Sequence, residues 1–341
     1  MEKAQSVVRR HYLSIGRKTE IVSDEIEAVV AGIQSKALRG AAKAFSVNLE
    51  DVLSLEMLPL HFSTLASYEI QHFAIQTLAE VRSFPRRNKD SEEQNNSFLK
   101  EEIEKIQKQK GFTKEDVIDA AFRSLDQKIK KDQKLKTAIR ALYLSGVMNS
   151  WVAFESLVKD AWILMVNANP TLLVEKVLGA TDKDEDEDKI TKKGFSVGLL
   201  SKYDFNIKKY LGALLSEKFD FTSLKGMRKA YKAIRIGSKS DEDFLNTAFQ
   251  DGTVLKRMES IRHLIAHRGG IIDSEYKDKN KTRLKVGTKL TISHIQTTRY
   301  FNEVARAGCS LIKYVDQWLL EMSKKRGKSS KKKLLVDGEK I

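Results

Sequence analysis

The sequence predicts an all-α protein, and three observations carry that expectation. Only 3 prolines fall in 341 residues, at Pro59, Pro85 and Pro170, so long stretches hold nothing that breaks a helix. Hydrophobic residues make up 41% of the chain, and in segment after segment they fall near helical spacing. Polar helix starts and glycine stops bound several of these segments. The length suggests two compact units rather than one.

Each element follows from its own pattern. Over residues 20–45, Ile21, Ile26, Val29, Val30 and Ile33 fall near helical spacing. Asn48, followed by Glu50 and Asp51, is a good start for another helix, and residues 62–81 form a further one. The polar, unpatterned run over 85–97 reads as a linker or exposed loop. A charged helix is expected over 97–110, another from Thr113 towards Lys131, and a third over 134–167. The middle of the third, 148–166, is apolar nearly all round, which predicts burial. Residues 182–188 are an acidic loop without the spacing or turn glycine of a calcium site. Shorter helices are expected over 205–215 and 224–234. A stronger one, over 253–267, stops at Gly269-Gly270. Residues 283–292 alternate weakly and suggest one short extended segment. A last amphipathic helix covers 295–324, with Phe301, Val304, Leu311, Ile312, Val315 and Trp318 among its apolar positions. The expected organisation is a helical N-terminal region of unknown role over 1–130, a helical domain over 131–323 and a basic disordered tail over 324–341.

The net charge is +15 and the pI about 9.5. The tail supplies part of this, and the rest is spread along the chain. A basic balance favours polyanionic partners, nucleic acid foremost, with solubility alone as the bland alternative. The single Cys309 excludes an intramolecular disulfide and an all-cysteine zinc site, and points to a reducing compartment. No apolar run approaches the roughly 20 residues that span a bilayer. The first residues lack the apolar core of a signal peptide. A cytoplasmic protein with no membrane anchor is expected.

The segment that carries chemistry is Glu259-Ser-Ile-Arg-His-Leu-Ile-Ala-His-Arg-Gly-Gly. On an ideal helix Glu259, Arg262, His263 and His267 share an arc of roughly 140°, at about 100° per residue. Val254, Met258, Ile261 and Ile265 gather on the opposite side. The helix therefore buries one stripe and presents an acid, an arginine and two histidines together. Arginine, four residues, histidine is a spacing that chance supplies often, and its place at the end of an amphipathic helix is what gives it weight.

Arg262-His-Leu-Ile-Ala-His267-Arg-Gly resembles the motif of HEPN domains, an arginine and a histidine separated by four to six residues. Trp151-Val-Ala-Phe-Glu-Ser-Leu-Val-Lys-Asp resembles an earlier core helix of that domain. Lys289-Leu-Thr-Ile-Ser followed by a long final helix is also similar. The resemblance covers about residues 134–322 and implies a HEPN-type helical bundle. His263 departs from the pattern, since many members carry asparagine or another small polar residue there. The resemblance implies a metal-independent endoribonuclease of the kind found in toxins, anti-phage defence and RNA processing. It also implies a homodimer, or a larger assembly, that joins two motifs. The long final helix and the helix around Trp151 are the expected apolar surfaces for it.

The residue types suit this chemistry. The ribose 2′-hydroxyl attacks the adjacent phosphorus, which requires a base, an acid for the leaving oxygen and positive charge for the developing phosphorane. An imidazole can move protons near neutral pH, and a guanidinium can bind two phosphate oxygens at once. His267 is thus assigned proton transfer and Arg262 phosphate binding. Glu155 is the next candidate. It lies in line with Trp151, Val158 and Trp162, faces the buried side, and needs a partner such as Arg262 or His263. The alternative is an ion pair that only fixes two helices. His263, Arg268 and Glu259 are candidate RNA contacts, and Arg268 would otherwise cap carbonyls at the helix end. Lys225, Arg228, Lys229, Lys232 and Arg235 form either a backbone-binding face or a solvated one.

Rival readings stay open. Glu259, His263 and His267 lie four apart and could approach one metal ion. However, Leu264 stands where the two-histidine zinc protease motif has its glutamate, and no further ligand is evident. No metal or cofactor is expected. A non-catalytic HEPN module binding nucleic acid, nucleotide or a partner protein is the main alternative. A purely structural role would make His267 a helix-end cation. Residues 1–130 are free to sense a trigger or bind a regulatory partner.

Overall fold

The computed structural model describes residues 23–84, 92–110, 114–170, 197–234 and 254–337, with Leu173, Val174, Val177, Phe244 and Phe249. The acidic loop over 182–188, the first 22 residues and the run over 85–91 lie outside the described residues. The fold is all-α. The helices whose bounds are described are α1 (23–31), α2 (Lys36–Ser83), α3 (Glu92–Lys110), α4 (Lys114–Lys131), α5 (Gln133–Ala168), α6 (Val197–Ser201), α7 (Ile207–Ser216), α8 (Leu224–Ile234), α9 (Val254–Arg268), α10 (Ser274–Asn280) and α11 (His294–Asp337). No described helix is long and apolar enough to cross a membrane.

The chain divides into two compact units. One centres on Ser54–Leu142, and the other is formed by Thr19–Leu53 and Tyr143–Ile341. The first has thin apolar clusters. Ile75 and Ala79 of α2 meet Ile106 of α3, and Phe122 of α4 packs with Met57 and Ile118. The Ser63 hydroxyl donates to the Ala121 carbonyl oxygen across 2.8 Å and ties α2 to α4.

The second unit has one large core. Phe45 and Leu49 of α2, Trp151, Phe154, Val158 and Trp162 of α5, Met227 of α8, Leu255 and Met258 of α9, and Phe301, Val304 and Val315 of α11 are all buried in it. Their near-complete burial follows from the all-round apolar centre of α5. Two side-chain bonds fix α8 on α5. The Trp162 indole N–H donates to Ala230 O at 2.8 Å, and the Tyr231 hydroxyl donates to Val158 O at 2.9 Å. Gly308 on α11 is a close-approach site, because a Cβ there would overlap the ring of Phe45. The carboxylate of Asp316 on α11 caps the start of α2, accepting from Ser35 N at 2.7 Å and Gln34 N at 3.1 Å.

Several expectations need correction. The helix expected over 20–45 is broken after Gly32, where residues 33–35 turn onto Asp316 and α2 begins. The helices expected from Asn48 and over 62–81 are one helix that continues through Pro59. One missing N–H bond costs about 3 kcal/mol, and the buried Leu49, Val52, Ile75 and Ala79 on either side outweigh it. The charged helix expected from Ser97 begins earlier, at Glu92, with Glu92 and Glu93 complementing the dipole of its first turn. In place of a strand over 283–292, a single antiparallel bridge joins Ile271 and Lys289. The backbone of α11 stays helical to Asp337, through the basic segment expected to be disordered. No proline interrupts that segment, and lysine is a good helix former. The apolar stripes around Trp151 and along α11, expected as dimer surface, are buried in the core of their own chain.

Candidate functional site

The site is built on α9. Its apolar stripe of Leu255, Met258, Ile261 and Leu264 is buried, and it packs on α8, α10 and α11. Gly269 and Gly270, with φ of 59° and 80°, end the helix. Their N–H groups donate to Ile265 O and Leu264 O at 3.0 and 3.2 Å, which satisfies carbonyls that the helix end leaves open. Leu290 N then donates to Gly270 O at 2.7 Å and holds the turn against the following loop. This anchoring places the last two turns of α9, with Arg262, His263, His267 and Arg268, on a fixed frame.

Arg262 and Glu155 are half-buried, and they face each other across α9 and α5 with Nη2 and Oε2 4.0 Å apart, the outer limit of an ion pair. Burial raises the Glu155 pKa, and Arg262 and the Trp151 indole work against the rise. The indole influences the carboxylate without reaching strict hydrogen-bond geometry, so Trp151 Nε1 and Glu155 Oε2 both lack a strict partner among the described residues. Asp220, in the turn before α8, is a second acid within electrostatic reach of Arg262. Burial pushes its pKa up. Bonds from Ser223 and Thr222, with help from Arg262, more than reverse this and leave it below the ordinary value. Ser223 Oγ and Thr222 Oγ1 each donate to it at 2.6 Å. Arg262 thus faces the Glu155 carboxylate of α5 and feels the charge of Asp220 in the turn before α8.

The histidines face solvent. The rings of His263 and His267 lie side by side, with centroids 4.4 Å apart and planes at 47°. His263 also borders a crevice of about 20 Å³ lined by Asp273 and Glu275, room for about one water molecule. Glu259 is buried and pairs with Lys256 one turn earlier, Oε2 to Nζ at 2.8 Å. Among the described residues no three His, Cys, Asp or Glu side chains are placed to hold an ion. Arg268 reaches Asp273 at 3.4 Å. Asp273 in turn caps α10 by accepting from Tyr276 N at 2.8 Å, so Arg268 supports the turn after α9. The thiol of Cys309 is buried and its pKa is pushed up to about 11, chiefly by burial, so it is not a nucleophile.

The sequence brought out Arg262, Glu155 and the two histidines, and missed Asp220, Lys256 and Trp151 Nε1. Asp220 belongs to Asp220-Phe-Thr-Ser, an acid two and three residues before hydroxyls, which is a turn signal. That signal names a turn and says nothing of the arginine 42 positions later. Comparison with family models, curated proteins and solved structures finds no match to the chain.

Proposed function

We propose that the chain is a metal-independent endoribonuclease of HEPN type that cuts RNA by 2′-hydroxyl attack. One observation carries this reading. A single helix end offers two solvent-facing imidazoles and a guanidinium that faces the Glu155 carboxylate, with Asp220 within electrostatic reach. In the reaction the 2′-oxygen forms a bond to phosphorus as the bond to the 5′-oxygen breaks. One imidazole takes the 2′-proton, another group returns a proton to the leaving oxygen, and the products carry a 2′,3′-cyclic phosphate and a 5′-hydroxyl. His267 moves a proton, Arg262 neutralises the phosphorane, and Glu155 orients Arg262. A homodimer brings a second His267 to the same phosphate. The resemblance suggests a toxin or anti-phage effector, and the cysteine usage suggests that it acts in the cytoplasm. The single reduced cysteine and the net charge of +15 accord with RNA in that compartment.

The test is a gel assay of mixed cellular RNA in EDTA with wild type, Arg262→Ala and His267→Ala. Cleavage by the wild type is expected to fall about 10²–10⁴-fold in both variants. Cleavage that EDTA abolishes would sink the mechanism. One observation favours a second reading: Arg262 already faces Glu155, with Asp220 close by. A module that binds without cutting needs no more than this, and it would hold RNA in the same assay while leaving it intact.

A further inference from the structure

Beyond the α9 end, a second feature of the same unit concentrates charge. The first turn of α9, the end of α10 and the first turns of α11 enclose a cavity of about 470 Å³. Lys256, Arg257, Lys279, Lys281 and Arg299 line it, and no carboxylate does so among the described residues. Lys256 is matched by Glu259. Arg257, Lys281 and Arg299 face it without a carboxylate in the described lining, and Lys279 is shared with the crevice of Asp273 and Glu275, so three to four positive charges face one space. Asn280 and Gln296 add neutral polar groups.

The backbone reinforces this field. α9 and α11 both present their N-terminal, positive ends to the cavity. α10 presents its C-terminal end, yet its last carbonyls are already taken. Lys281 N donates to Asp278 O and Lys277 O, Thr282 N to Lys277 O, and the Asn280 amide to Tyr276 O. Lys281 holds a left-handed φ of 47°, which closes the helix and carries its side chain into the lining. Tyr300 is buried, so it offers no open ring face for a base to stack on. The recognition here is of charge.

We propose that this cavity binds an oligophosphate, two or three directly linked phosphates. A lone phosphate monoester carries only about −1.5 to −2, and a backbone phosphodiester carries one charge per phosphate. Neither matches three to four clustered cations in so small a space, whereas a di- or triphosphate does. The inference does not rest on the ribonuclease reading, because the cavity contains none of Arg262, His267 or Glu155.

The probe is inorganic tripolyphosphate, titrated calorimetrically at physiological salt. The proteins are wild type, Arg257→Gln/Arg299→Gln, and a control, Lys225→Gln/Lys232→Gln, that removes the same charge from α8. All four positions are exposed, and circular dichroism checks that each variant is folded. Wild type and control are expected to bind alike, with the cavity variant weaker by about tenfold or more. Absence of binding by wild type, or an equal loss in cavity variant and control, would overturn the proposal. Competition then identifies the source. A nucleoside triphosphate that displaces tripolyphosphate supports a free nucleotide. A 5′-triphosphorylated oligoribonucleotide that competes where its 5′-hydroxyl form does not supports an RNA end. If neither displaces it, the proposal fails.

Discussion

Glu56 shows how much one carboxyl can govern. It is buried on α2, its Oε1 has no hydrogen-bond partner among the described residues, and burial raises its pKa to about 8. Between about pH 4.5 and 8 the unfolded chain has released this proton and the folded chain has kept it. Stability therefore falls as pH rises through that window, and levels off above it. Glu56→Gln keeps the shape without the proton. Thermal melts from pH 5 to 9 are expected to show the variant gaining on wild type by several kcal/mol at pH 8. A parallel pH dependence in both proteins would rule this out. Glu155 tests the proposed site at the same scale. Glu155→Gln is expected to lower RNA cleavage about tenfold while leaving the product ends unchanged, because it loosens Arg262 and removes no proton-transfer group. That Glu155 needs a cation was legible in the sequence, since a carboxylate on the buried side of a helix is costly alone, but the choice of Arg262 over His263 was not. Asp220 was not, because a residue in a turn has no periodicity to say which way it faces.

At the scale of elements, the contact between α2 and α11 is the most sensitive. Gly308→Val would push a side chain into Phe45, and a loss of about 1–3 kcal/mol is expected from overpacking. Asp316→Ala would uncap α2 and cost about 1 kcal/mol. Urea unfolding measures both, and an unchanged midpoint in either variant would show that the contact does not hold the unit together. Most helices were legible from periodicity. α8 lies where its stripe placed it, and α9 ends at the glycine pair that announced its stop. The misses have physical causes. The break before α2 depends on Asp316, 281 positions after Ser35, and no local pattern contains it. The continuity of α2 through Pro59 depends on burial to either side, which outranks local propensity.

For the molecule as a whole, the two units differ in how much apolar surface they bury. Ser54–Leu142 relies on clusters of a few residues, whereas the unit with α5, α8, α9 and α11 has a continuous core. Hydrogen exchange is therefore expected to be fast along α3 and slowest in α5 between Trp151 and Met165, and uniform protection would contradict the division. The sequence suggested two units and placed a boundary near residue 130. The contacts instead put Thr19–Leu53 with the second unit. Amphipathic stripes show that a helix has a partner but not which one. The cap of Asp316 on Ser35 has a consequence for synthesis. At roughly 5–20 residues per second, the ribosome needs on the order of 15 s to a minute to travel from one to the other. Until then α2 has no cap, and Phe45 has no Gly308 to lie against. The helix bearing Arg262 and His267 emerges before α11, the helix it packs on, and so has that partner only once α11 has been made.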